Sequence, residues 1–259
     1  MHRLRDKFTL ASFARYAAWR MVKSERALSV ELKTGERFRL RPPPAADLMT
    51  AYEVFVLRIY DPVLQAVIRP ARIVDVGANV GYTCVLWAHA YPGVPVLAFE
   101  PHPSHVRAFR ENLALGGLGA QIEIIAAAAG VSSGRAAFLD AENESGLVAS
   151  GRPASAERLA EAGPTGEFEV PVVDFFASVG SRPIDVLKMD IEGGEYPILA
   201  DPRFDNLGAR MIALEWHNTP EYTDGKRWCE ERLRSLGYDV TEGASGCEHN
   251  GMLFATREN

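Results

Sequence analysis

Ile73-Val74-Asp75-Val76-Gly77-Ala78-Asn79-Val80-Gly81-Tyr82-Thr83 is the stretch on which the fold turns. A short apolar run ends in a glycine-bearing turn, and a segment fit for a helix follows. The next apolar run, residues 95–99, closes on Glu100, 23 residues after Gly77. Strand, glycine turn, helix, strand and acid is the order in which an α/β protein holds a nucleoside-bearing ligand. Glycine lets backbone approach such a ligand. A carboxylate at the end of the second strand can accept hydrogen bonds from both ribose hydroxyls. The bland alternative is a strand-to-helix turn that binds nothing.

The spacing argues against a dinucleotide. A G-x-G-x-x-G turn cradles a pyrophosphate on a helix N-terminus. Here the pattern is D-x-G-x-x-x-G, with Asn79 at the second glycine position and Tyr82 at the third. S-adenosylmethionine has no phosphate and asks instead for polar contacts to its amino-acid end, which Asp75 and Asn79 suit.

From Ile73 onward the chain alternates. Strands are expected at 72–76, 95–99 and 121–126, with helices at 79–91 and 103–115 between them. That rhythm predicts a doubly wound, mostly parallel sheet. Further strands are expected at 135–139, 168–173, 184–189 and 211–215, a helix at 224–236, and a closing antiparallel pair at 238–241 and 251–256. Residues 141–167, rich in Ala, Gly, Ser and Glu, read as a long insertion. Upstream, the pattern predicts an N-terminal helix, a hairpin from 28–32 and 37–40, and a helix over 45–57. The division expected is a helical and hairpin extension over 1–60 and a main domain over 61–259.

Composition bounds the class. The 259 residues are 47% apolar, enough for a full core, and no apolar run approaches the ~18 residues that span a bilayer. Cys84, Cys229 and Cys247 are widely spaced and odd in number, which fits reduced thiols and a cytoplasmic location. A net charge of -6 speaks against general nucleic-acid binding. The charge is uneven: residues 1–26 hold seven Lys/Arg against Asp6 and Glu25, a net +5, so the rest carries -11. Leu10, Phe13, Ala14, Ala17 and Met21 follow helical spacing, with Arg15, Arg20 and Lys23 opposite. The favoured expectation is a helix packing its apolar face on its own domain. The alternatives are a helix that lies on a membrane, docks a partner or forms a homodimer.

Ligands in open α/β sheets lie beyond the C-terminal ends of the strands. The residues there are Gly77 and Asn79, Glu100, Ala127 to Ala129, Asp190 and Glu192, then Glu215 and His217. In Leu187-Lys188-Met189-Asp190-Ile191-Glu192-Gly193-Gly194-Glu195, the carboxylates at 190 and 192 share one side of an extended segment. Glu195 reads as a helix-capping acid. Asp190 lies where the reactive end of a cofactor belongs.

Four motifs in order, D-x-G-A-N-x-G, F-E-P, D-V-L-K-M-D-I-E-G-G-E and A-L-E-W-H, resemble the FkbM family of S-adenosylmethionine-dependent methyltransferases over about Ile73 to His217. The resemblance implies a seven-stranded class I methyltransferase (Rossmann-like) fold. It also implies O-methylation of a hydroxyl on a sugar or natural-product small molecule. It implies that Asp75, Gly77, Asn79 and Gly81 shape the pocket for the methionine end. Glu100 would hold the ribose, Pro101 and His102 would border it, and Ala128 and Ala129 would lie along the adenine. Asp190 would lie near the sulfonium.

Methyl transfer is an in-line displacement, so positioning and exclusion of water dominate. A hydroxyl acceptor must also lose a proton. His217, with an ordinary pKa of ~6.5, is the first candidate base, and Asp190 the second. A divalent cation held by Asp190, Glu192, Glu215 and His217 is the lesser alternative. Trp216, Tyr222 and Trp228 are candidates to stack on an acceptor. Two rival functions stand beside this one. An NAD-dependent oxidoreductase or epimerase would draw on Tyr222-x-x-x-Lys226, though Pro220 and Gly225 disfavour a catalytic helix there. A nonenzymatic partner-binding module would draw on the basic helix alone.

Overall fold

The structure, a computed structural model, describes residues 4, 6–43, 45–140, 145–149, 152–153 and 167–257. Before the glycine turn come α1 (Leu10–Met21), the antiparallel hairpin β1 (Leu28–Glu31) and β2 (Arg37–Leu40), α2 (Asp47–Tyr52) and α3 (Asp61–Ala66). The helix expected over 45–57 is shorter. After Tyr52 it widens into a π turn, Glu53–Leu57, that closes at Arg58 in the left-handed region (φ 56°).

The expected inner face of α1 points outward. Ser12, Tyr16 and Trp19 are its buried residues, while Leu10 and Met21 are 87% and 84% exposed. Each buried residue has a dedicated partner. The Ser12 hydroxyl accepts from the Glu31 amide at 2.8 Å. Tyr16 packs edge-on to Phe8 at 5.5 Å, and Trp19 Nε1 donates to the Arg26 carbonyl at 2.6 Å. Aromatic rings bury more area than Ala and Leu, and the polar tip of Trp19 is satisfied here, so they win the inner face.

The main sheet begins at β3 (Ile73–Val76), followed by α4 (Tyr82–Ala90), β4 (Val96–Phe99), α5 (Pro103–Gly116) and β5 (Ile122–Ile125). Next come β6 (Ala128–Gly130), β7 (Gly134–Asp140), β8 (Ser145–Ala149), β9 (Arg152–Pro153) and β10 (Glu167–Asp174). The chain ends with α6 (Phe175–Val179), β11 (Val186–Met189), α7 (Glu195–Ala200), β12 (Met211–His217), α8 (Gly225–Ser235), β13 (Asp239–Cys247) and β14 (Asn250–Thr256). The seven-stranded sheet runs β13-β14-β12-β11-β3-β4-β5. Only β14 runs against its neighbours β12 and β13; the other pairs are parallel. This is the doubly wound arrangement the motifs implied.

Strand alternation splits the core. Ile73 faces the layer of α4, α5 and the hairpin, where Phe38, Leu40, Tyr82 and Trp87 are buried. Val74 and Val76 face the other layer, with Leu187, Leu199 and Leu233. The extension therefore shares a core with one face of the sheet. Phe38 stacks on Phe55 at 4.8 Å, and Tyr82 donates to the Arg39 carbonyl at 2.5 Å.

A second sheet, β6-β10-β7-β8-β9, was not foreseen. The expected insertion partly builds it, since β8, β9 and the first residue of β10 fall within 141–167; the rest of that stretch lies outside the described residues. Chain order in the main sheet reverses between β3 and β11, which sets the ligand crevice at their C-terminal ends.

Candidate active site

The β3–α4 turn is built by close approach. Gly77 has φ 81°, and a Cβ there would lie 1.8 Å from the Asp190 carbonyl oxygen. Gly81 has φ 83°, and a Cβ there would lie 2.0 Å from the Phe109 ring. Both glycines thus let protein approach protein, where the sequence suggested approach to a ligand. Asn79 is left-handed without being glycine (φ 51°), and its Oδ1 is buried with no hydrogen-bond partner among the described residues. A short polar side chain tolerates that conformation.

Asp75 is fully buried beneath the turn and accepts from the Thr83 hydroxyl at 2.5 Å, tying β3 to the first turn of α4. Its other oxygen faces Lys188 Nζ at 3.4 Å. Glu100 accepts from the Asn79 amide at 2.8 Å and the His102 amide at 2.9 Å, one per oxygen. Oε1 also stands 3.4 Å from His105 Nδ1, while Oε2 keeps a lone pair for a further donor. His102 caps α5, its Nδ1 accepting from the Ser104 amide at 3.2 Å, and its ring stacks on His105 at 4.4 Å. Pro101 is half-buried beside it. Ala128 and Ala129 are buried in β6, in register with Val172 and Val173 of β10.

Sequence reasoning passed over Lys188. It is 2% exposed in β11, its ammonium donating to the Gly77 carbonyl at 2.6 Å and standing 3.4 Å from Asp75 and 3.5 Å from Asp190. Burial alone would lower its pKa; the Asp75 and Asp190 carboxylates outweigh that and raise it well above the usual value. The signal was available, because a lysine inside a buried apolar strand demands partners.

Four acids and a histidine meet at the ends of β11 and β12. Glu195, fully buried at the start of α7, accepts from the Gly193 amide at 2.8 Å and the His217 amide at 3.0 Å. The same carboxylate stands 3.3 Å from His217 Nδ1. Glu195 therefore fixes His217 and the 191–194 turn, a larger role than the cap expected of it. His217 Nε2 is buried, 3.4 Å from Glu192 and 3.8 Å from Glu215, with no hydrogen-bond partner among the described residues. Glu192, 35% exposed, is the outermost side chain of the group and holds a left-handed backbone (φ 54°). Backbone in that region carries strain of a kind common at functional sites.

The electrostatics follow from crowding. Burial would lower the His217 pKa, but Glu192, Glu195 and Glu215 override it and raise it well above 6.5. Burial first, and Asp190 second, push Glu215 up to about 8. Glu53, from the π turn, and Tyr60 also feel Asp190, so the extension borders this mouth. Of the four metal candidates, Asp190, Glu192 and His217 bring ligand atoms within 4.8 Å of one another.

The aromatic candidates pack inward. Tyr222 stacks on Tyr196 at 3.8 Å, Trp228 meets both rings edge-on, and Trp216 is 5% exposed. Lys226 pairs with Glu242, which leaves no Tyr222–Lys226 dyad.

Residues 75–240 match the family model described as the FkbM methyltransferase domain. No curated protein matches the chain. Among solved structures, a precorrin-6y C5,15-methyltransferase from Geobacter metallireducens is 14% identical (78% of this chain, 87% of that one, TM-score 0.43). An O-methyltransferase from Bacillus cereus in complex with SAH is 13% identical (78% and 81%, TM-score 0.46). The O-methyltransferase TomG from Streptomyces achromogenes is 14% identical (78% of each chain, TM-score 0.44). None of these likenesses bears on what this chain methylates.

Proposed function

The chain belongs to the FkbM family of methyltransferases, and from that premise we propose that it transfers the methyl group of S-adenosylmethionine to a hydroxyl of a sugar or natural-product small molecule. The observation that carries this reading is the meeting of Asp190, Glu192 and His217 at the switch point. The donor supplies an electrophilic methyl on a good leaving group, so the protein need only bind, orient and take up one proton.

The residues present fit that donor. The partly exposed carboxylates of Asp190, Glu192 and Glu215 suit its positive charges. The buried Asn79 Oδ1 lacks a partner, and Glu100 Oε2 retains a lone pair for a ribose hydroxyl. Asp75, Gly77 and Gly81 hold the turn in shape, and Pro101, His102, Ala128 and Ala129 line the approach to the nucleoside.

In this reading His217 takes the acceptor proton at Nε2, with Asp190 as the second proton acceptor. Glu195 at Nδ1 orients the ring and stabilises the imidazolium that forms. Positive charge bound beside Asp190 loosens the proton His217 already carries, since like charge lowers a cation's pKa. Membership in a methyltransferase family leaves the oxidoreductase reading without support.

Calorimetric titration of the purified chain with S-adenosylmethionine tests the premise. The wild type binds and Glu100→Ala loses at least tenfold in affinity; a wild type that binds NAD and ignores S-adenosylmethionine refutes it. A screen of hydroxylated acceptors by methyl incorporation then tests the oxygen acceptor.

A further inference from the structure

The helix α1 presents the wrong face to solvent for a helix that only packs on its own domain. At about 3.6 residues per turn, Leu10, Phe13, Ala14, Ala17 and Met21 form one continuous crest. All are exposed, Leu10 at 87%, Phe13 at 43% and Met21 at 84%, and Val22, just past the helix end, is exposed on the Arg15 flank. The opposite face, Ser12, Tyr16 and Trp19, is held by the partners described above. The crest is thus not an inner face waiting to dock on its own domain. Arg15 and Arg20 leave the helix on the two flanks between crest and docked face, both exposed, and Lys23 and Arg26 follow, exposed too.

We propose that α1 is a membrane-docking helix that lays its apolar crest into the interfacial region of an anionic lipid surface, with Arg15 and Arg20 reaching headgroup phosphates on either side. Charge complementarity selects this occupant. Residues 1–26 carry +5 while the remaining chain carries -11, so an anionic surface attracts this region and repels the rest, which sets the orientation. A second copy of the chain fits poorly. A two-fold contact through the crest would bring each flank of arginines against its counterpart. Basic flanks beside an apolar strip are what an interfacial helix needs, the long side chains reaching phosphate while their stems stay apolar. No helix among the described residues is long and apolar enough to cross a membrane, so the contact is with one leaflet's surface.

Flotation of the full chain with vesicles tests this, comparing pure phosphatidylcholine with vesicles containing about a third phosphatidylglycerol. The wild type floats with the anionic vesicles and stays down with the neutral ones. Leu10→Glu with Met21→Glu lowers the bound fraction at least tenfold. Arg15→Gln with Arg20→Gln lowers the partition constant roughly fivefold per arginine. Leu10 and Met21 lie outside the buried core, so the thermal unfolding midpoint of the Leu10→Glu, Met21→Glu variant stays at the wild-type value and separates lost docking from lost folding. Arg15 also donates to the Ser12 hydroxyl at 3.0 Å, so the arginine variant is read at a temperature below its own measured midpoint. A wild type that fails to float with either vesicle overturns the proposal. So does a concentration-dependent dimer in sedimentation velocity that the Leu10→Glu, Met21→Glu variant abolishes, because the crest would then belong to a second copy.

Discussion

His217 is where residue-scale physics meets the proposed chemistry. Three carboxylates hold its proton, so the neutral base forms only as pH rises through a pKa well above 6.5. The rate, kcat/KM, therefore climbs with pH across the neutral range and levels off on the alkaline side. Replacing His217 with Asn should cost roughly 10²–10⁴-fold and remove that limb; a variant that keeps the limb would assign it to another group. Lys188 is the second decisive residue. Lys188→Met leaves Asp75, fully buried, facing a neutral neighbour. Breaking such a pair costs about 3–5 kcal/mol, to be read from urea unfolding. An unchanged midpoint would mean that solvent compensates these carboxylates. His217 was legible as a strand-end histidine; Lys188 was legible only as a buried lysine in need of partners, because only the turn carbonyl and carboxylates around it show what its charge does. Glu195 was misjudged for a related reason. Its sequence neighbours suggest a helix cap, while its main partner lies 22 residues away.

Among the elements, the β3–α4 turn shows how one motif serves two constraints. Gly81 must be left-handed and must also admit the Phe109 ring of α5. Gly93 is left-handed as well (φ 81°) but has open space around it. Gly93→Ala should cost about 1 kcal/mol, the conformational part alone. Gly81→Ala should cost that plus about 1–3 kcal/mol for the overlap. Equal losses in thermal melts of the two would show that α5 shifts freely. The pattern D-x-G-x-x-x-G disclosed the turn without disclosing what fills it. Helix α1 is the counter-example. Its periodicity was legible, but which stripe faces inward was decided by partners on β1 and at Arg26. The second sheet went unseen because β6 is three residues long and pairs with β10, more than 40 residues later.

For the molecule as a whole, the acid cluster links stability to pH. Glu215 rises from an ordinary value near 4.5 to about 8, and His217 also rises. Both groups bind protons more tightly when folded, so their contribution is complete below the unfolded pKa and is lost as pH rises through the folded one. The unfolding midpoint should therefore fall between about pH 5 and pH 9. Glu215→Gln should flatten much of that fall, gaining over the wild type at the alkaline end and little at the acid end. A parallel decline in both proteins would place the linkage elsewhere. The alternation of apolar runs by itself determined the order of the seven main-sheet strands and of helices α4, α5 and α8, and with it a doubly wound sheet whose crevice lies at the strand ends, because periodicity and local turn chemistry need no distant information. The tertiary structure alone decided that Lys188 bridges Asp75 and Asp190, that Glu195 holds His217, and that α1 turns its apolar crest outward. Those depend on which groups from remote segments arrive to satisfy a buried charge or a ring, and no local pattern encodes that arrival.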